Sequence, residues 1–126
     1  MTIKFGADIN IHLAQEALKS QLYVKSWTLQ HKLSSIVNGY ESFPIALYYH
    51  LNSPIGVIMV NTEYNVFEIF VHQSHRRLGI GTCLLKYMKS KFPNVKGNSN
   101  GTTGSLSFFI SNNLETVNIY DLETIC

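Results

Sequence analysis

Between residues 66 and 85 the chain reads Val66-Phe67-Glu68-Ile69-Phe70-Val71-His72-Gln73-Ser74-His75-Arg76-Arg77-Leu78-Gly79-Ile80-Gly81-Thr82-Cys83-Leu84-Leu85: an apolar stretch, a basic turn with two glycines, then a helical pattern. The chemistry these residue types offer at this spacing is anion binding. A strand that turns directly into a helix aims the helix's unpaired N–H groups and its positive dipole end at one point. Gly79 and Gly81 permit close approach to that backbone, Thr82 adds a small hydroxyl, and both of the chain's arginines, Arg76 and Arg77, lie at the same place. Neither of the two commonest nucleotide fingerprints fits. No Gly-Lys-Ser/Thr follows as in a phosphate loop, and the third glycine of a dinucleotide turn is missing.

The elements that must hold this turn follow from periodicity. Ile3 to Phe5 reads as a short edge strand. A first helix is expected from Asp8 or Asn10 to about Val24, with Ile11, Ala14, Leu18 and Leu22 apolar, and a second from Trp27 to Val37, ending at Asn38-Gly39. Pro44 to Leu51 and Ile55 to Asn61 form a hairpin across Asn52-Ser53-Pro54, and a turn at Thr62 to Asn65 leads to a strand from Val66 to His72. That antiparallel meander feeds the turn and a helix to Lys91 with Ile80, Leu84, Tyr87 and Met88 on one face, stopped by Pro93. Asn94 to Gly104 is glycine- and asparagine-rich and offers at most a short strand and a loop. Ser105 to Asn112 suits a short helix ended by Asn113 in a left-handed conformation, and Thr116 to Leu122 alternates like a last strand.

A length of 126 residues bounds the chain to one domain, residues 1–126, in which a single site serves any cofactor and substrate. Charged residues are only 14% of the total, which argues against disorder and leaves room for a partner, a homodimer among the candidates. The net charge of +2 hides an uneven distribution: no acidic residue falls between Glu68 and Glu115, where Arg76, Arg77, Lys86, Lys89, Lys91 and Lys96 all lie. Such a block attracts polyanions, although for the lysines a solvated helix face is the plainer reading. Cys83 and Cys126 make neither a disulfide framework nor a metal site, and Pro54 to Val60 is too short to span a bilayer. A soluble cytoplasmic protein without a metal is expected.

Arg76-Arg77-Leu78-Gly79-Ile80-Gly81 resembles the pyrophosphate motif of the GNAT acetyltransferase superfamily: Arg or Gln, two residues, Gly, one residue, then Gly or Ala. Phe70 to Arg76 is similar to the family's fourth strand and its lead-in, with Gln73 where a proline is usual. Gly56 in the preceding strand also fits, and Ser105 to Leu114 resembles the family's fourth helix, with Asn113 at its usual glycine. The order of elements agrees from about residue 2 to residue 122, though only the turn motif is specific. The resemblance implies an α/β (α+β) fold with a mixed central sheet, an antiparallel N-terminal meander and flanking helices. It implies acetyl-CoA as co-substrate, its pyrophosphate on the amides of Arg77, Leu78, Gly79, Ile80, Gly81 and Thr82 with the Arg76 side chain nearby. The pantetheine arm would lie beside the backbone of Phe70, Val71 and His72.

The implied reaction is direct attack of an amine on the thioester, with a small molecule or a protein amino group as acceptor. It needs a base, a backbone N–H for the oxyanion and an acid for the thiolate. Glu68, the only carboxylate in the central strand, is the candidate base; pairing with a lysine is its structural alternative. The family's acid, a tyrosine, falls at Phe109, so Tyr120, Ser107 or water must serve. His72 and His75 could contact phosphate or be ordinary strand-end polar residues, and Tyr48, Tyr49 and His50 could line an acceptor pocket or fill the core. Cys83 has no evident base and is not expected to be a nucleophile. A CoA-binding module with little or no turnover is the alternative function. A nucleic-acid-binding domain is disfavoured because no strand interleaves basic and aromatic residues.

Overall fold

The structure is a computed structural model and describes residues 2–5, 44–51, 53–72, 75, 78–98 and 105–118, to which every structural statement here refers. The two helices expected before Gly39, the lead-in residues Gln73, Ser74, Arg76 and Arg77, and Tyr120 lie outside the described residues.

The β-branched and aromatic runs form strands: β1 (Thr2–Phe5), β2 (Ile45–His50), β3 (Ser53–Asn61) and β4 (Val66–Val71). These four pair antiparallel in chain order, as the meander pattern requires. The hairpin between β2 and β3 turns earlier than the Asn52-Ser53-Pro54 cluster suggests. Ser53 already pairs with His50, so the connection starts at Leu51, which takes a left-handed φ of 57°. Pro54 is tolerated inside β3 because it sits opposite Tyr49 at a bulge, where the ladder does not need its missing N–H. The turn between β3 and β4 ends on Asn65 at φ 56°, and the side-chain oxygen of Asn61 accepts from the Glu63 N–H at 3.1 Å.

The helix after the turn, α1 (Ile80–Lys91), is followed by β5 (Lys96–Asn98), α2 (Ser105–Ser111) and β6 (Thr116–Val117). The sheet has the order β1-β2-β3-β4-β5-β6, with β4, β5 and β6 parallel to one another. This is the mixed sheet with an antiparallel N-terminal meander expected for the fold.

One face of the sheet holds Ala46, Tyr48, Ile58, Val60, Phe67 and Ile69, which pack with Ile80, Leu84, Leu85 and Met88 of α1 and with Phe109 and Leu114. Leu85 is buried where the sequence pattern favours Tyr87, which is half-buried and stacks edge-on against Phe5. The opposite face carries Leu47, Val57, Met59, Glu68 and Phe70, all buried as well.

α2 ends as Asn113 allows. Its φ is 59°, its N–H donates to Ile110 O at 3.0 Å, and the Leu114 N–H donates to Phe109 O at 2.9 Å, the two bonds of a Schellman motif. Leu114 and Phe109 supply the apolar contact that accompanies it. The Phe109 ring lies flat on Gly97 of β5, where a Cβ would come within 2.5 Å of its carbons. This contact docks α2 on the sheet.

Candidate functional site

The candidate site is built around β4. The His72 N–H donates to Ile55 O of β3 at 2.7 Å, so by alternation Phe70 and Glu68 also direct their backbone groups towards β3. Phe67, Ile69 and Val71 then direct theirs to the other side, where Asn65 O accepts from the Lys96 N–H at 3.4 Å. Among the described residues the registered pairs with β5 are Val66↔Lys96 and Phe67↔Gly97, and β4 runs on to Val71. Past that point the β5-facing edge of β4 is the edge of Ile69 and Val71. Of Phe70, Val71 and His72, the Val71 backbone faces the β5 side and those of Phe70 and His72 face β3.

The turn that follows ends at Gly79, whose φ of 79° and ψ of 6° place it in the left-handed region at the start of α1. A Cβ there would meet nothing within 4 Å, so the constraint is conformational. The first intrahelical bond runs from the Cys83 N–H to Gly79 O at 3.0 Å, which leaves the N–H groups of Ile80, Gly81 and Thr82 directed out of the helix end. No side chain caps them and no acidic residue stands in the first turn. Leu78, just before, is 69% exposed.

Gly81 is a different case. A Cβ on it would meet the Phe108 ring at 3.1 Å and Ile69 Cδ1 at 3.7 Å, so its missing side chain faces the protein rather than a ligand. Its glycine lets α2 approach α1. The Thr82 hydroxyl is likewise turned inward: it donates to Asn112 Oδ1 at 3.4 Å, and Asn112 Nδ2 donates to Phe108 O at 2.9 Å. What the helix start offers an anion is therefore backbone.

Glu68 is 2% exposed, opposite Met59 on the face away from α1. Its Oε1 accepts from Asn98 Nδ2 of β5 at 2.7 Å, a buried contact between two side chains thirty residues apart. Asn98, fully buried, is a residue the sequence does not distinguish from the other asparagines of its loop-like segment.

Three histidines meet at this end of the sheet. The His75 ring lies 5.5 Å from that of His50 at the end of β2 and 6.0 Å from that of His72. Tyr48, Tyr49 and His50 do not line one pocket, because a strand alternates: Tyr48 joins the core beneath α1, while Tyr49 lies on the other face with the Lys4 Nζ over its ring. Burial pushes the Tyr49 phenol up from its ordinary value. Phe109 is 1% exposed and belongs to the core. Ser107 is exposed on α2, as is the Cys83 side chain on α1.

Two described lysines of the basic segment are engaged locally. Lys96 pairs with Glu115 at 3.2 Å, and Lys91 sits over the rings of Phe5 and Tyr87. Among the described residues no three His, Cys, Asp or Glu side chains are placed to hold a metal ion, and no helix is long and apolar enough to cross a membrane.

A family model described as an acetyltransferase (GNAT) domain matches residues 11–109, most of the chain. The chain belongs to the GNAT acetyltransferase family. Among solved structures it is similar to a ribosomal-protein-alanine N-acetyltransferase from Brucella melitensis biovar Abortus 2308, with a TM-score of 0.60 and 13% identity over 88% of this chain and 90% of that one. It is also similar to a possible acetyltransferase from Clostridium difficile 630, with a TM-score of 0.49 and 15% identity over 93% and 91% of the two chains. At these identities the likeness to the Brucella protein is one of fold. No curated protein sequence matches the chain.

Proposed function

We propose that the protein, as one domain over residues 1–126, moves an acetyl group from acetyl-CoA to a primary amine of a small molecule or a protein. The observation that carries this reading is the left-handed Gly79 at the start of α1, which leaves the first amides of the helix without intrahelical partners just beyond the end of β4. The pyrophosphate is assigned to the amides from Arg77 to Thr82 with the Arg76 side chain. The pantetheine arm is assigned to the backbone of Phe70, Val71 and His72 in β4, as the family resemblance implies.

The amine nitrogen attacks the thioester carbon, a β4 N–H stabilises the oxyanion, and the C–S bond breaks to release the CoA thiolate. Glu68 takes the amine proton. The thiolate is protonated by Tyr120, Ser107 or water, since Phe109 carries no proton to give.

The reading is supported by acetyl-CoA binding in calorimetry that is lost in Arg76→Glu, and by CoA release with an amine panel that includes an alanine-initial peptide, the acceptor type named for the Brucella protein. No heat at millimolar acetyl-CoA overturns it. Tight binding with no turnover on any amine supports a CoA-binding module instead, a reading favoured by the burial of Phe109 where the family's tyrosine is expected.

A further inference from the structure

Glu68 and Asn98 are two buried polar side chains in an otherwise apolar stretch of sheet, and packing alone does not explain them. Apolar residues would fill both positions without the desolvation of a carboxylate and an amide. Their meeting is built by register. Phe67 pairs with Gly97, so the next residue on each parallel strand is Glu68 and Asn98, both on the face away from α1. β5 is firmly fixed at this point: the Gly97 N–H donates to Glu115 O at 2.8 Å, Asn98 pairs with Val117, and the Phe109 ring rests on Gly97. The amide that reaches Glu68 Oε1 at 2.7 Å is thus held on a strand paired on both sides.

We propose that Asn98 is the positioning residue of the reaction's base. Its amide fixes the rotamer of the Glu68 carboxylate and, by donating to the ionised form, keeps that carboxylate ready to accept a proton. A hydrogen bond to a carboxylate stabilises the charged state, opposing what burial does to the same group. This rests on the reading of Glu68 as base, and the two ideas separate experimentally.

The full chain is assayed for CoA release from acetyl-CoA with an alanine-initial peptide across pH 5 to 9. The Glu68 carboxyl is titrated in parallel by carbon-13 NMR in glutamate-labelled protein, its signal assigned with Glu68→Gln. In Asn98→Leu the acid limb of kcat/KM and the NMR midpoint both move up by roughly one to two pH units, while KM for acetyl-CoA stays unchanged. Asn98→Asp moves both further, because a second carboxylate faces the first. Should the leucine variant fail to fold, Asn98→Ser, too short to reach, gives the same shift. An unchanged NMR midpoint in a folded variant overturns the proposal whether or not turnover is seen. If Glu68→Gln retains wild-type rates, the base reading falls and the positioning role falls with it. If Glu68→Gln abolishes the acid limb yet Asn98→Leu leaves the limb in place, only the positioning role is wrong.

Discussion

Two regions of one strand, the turn beyond the end of β4 and the junction of its middle with β5, solve the problem of presenting polar groups in opposite ways. The turn does it with backbone: Gly79 adopts φ 79° at the helix start, three amides are left without intrahelical partners, and the Thr82 hydroxyl is turned inward. The junction does it with side chains, a carboxylate and an amide buried to within 2% and held at 2.7 Å. A backbone site depends on conformation and tolerates many residue types, whereas a buried side-chain site depends on identity. Mutations should therefore separate shape from chemistry.

The largest effect belongs to the junction. Glu68→Gln keeps the shape and removes the proposed base, and turnover should fall by about 10²-fold or more while acetyl-CoA binding by calorimetry persists. If turnover is retained, the junction is structural and the contrast collapses. Next is Gly97→Ala, which forces a methyl against the Phe109 ring. It should cost about 1–3 kcal/mol in urea denaturation, and Phe109→Leu in the same chain should recover part of it.

The two glycines of the turn sharpen the comparison at smaller scale. Gly79→Val forces a β-branched residue into the left-handed region and should cost about 1–2 kcal/mol and weaken acetyl-CoA binding, while Gly79→Asn loses little of either. In Gly81→Ala the improved helix propensity, roughly 0.5–1 kcal/mol, is offset by crowding against Phe108. Stability and acetyl-CoA affinity should stay close to wild type.

The smallest effect concerns the face that Glu68 shares with Tyr49. Because the folded phenol's pKa lies above its unfolded value of 10.0, the folded state holds its proton longer. The contribution to stability is complete below pH 10 and is lost as pH rises through the folded pKa. Tyr49→Phe should lie flatter than wild type in melts above pH 10 and match its pH dependence below.

The meander and the start of α1 were legible because both are local. An apolar run, a glycine and a following helical period specify β4 and α1, and Asn113 announced the end of α2 by its tolerance of positive φ. The hairpin was displaced because Pro54 looks like a turn residue until the bulge beside Tyr49 makes room for it. Asn98 was invisible for a deeper reason: its significance comes from parallel pairing between segments thirty residues apart, which no local pattern encodes. The roles of Gly79 and Gly81 were merged in sequence because spacing reports neither φ nor what stands in front of a Cα. Only the structure assigns one to conformation and the other to the Phe108 contact.

The ring of Phe109 lying on bare Gly97 has a consequence for how this chain can change over generations. The two positions form a lock with one admissible combination at a time: a larger residue on β5 demands a smaller one on α2. An intermediate in which only Gly97 has grown carries the clash, and one in which only Phe109 has shrunk carries a cavity. Because β5 also carries Asn98, drift at position 109 is felt at a carboxylate on the far side of the sheet. A core aromatic without a proton to donate thereby constrains the placement of a group that can accept one.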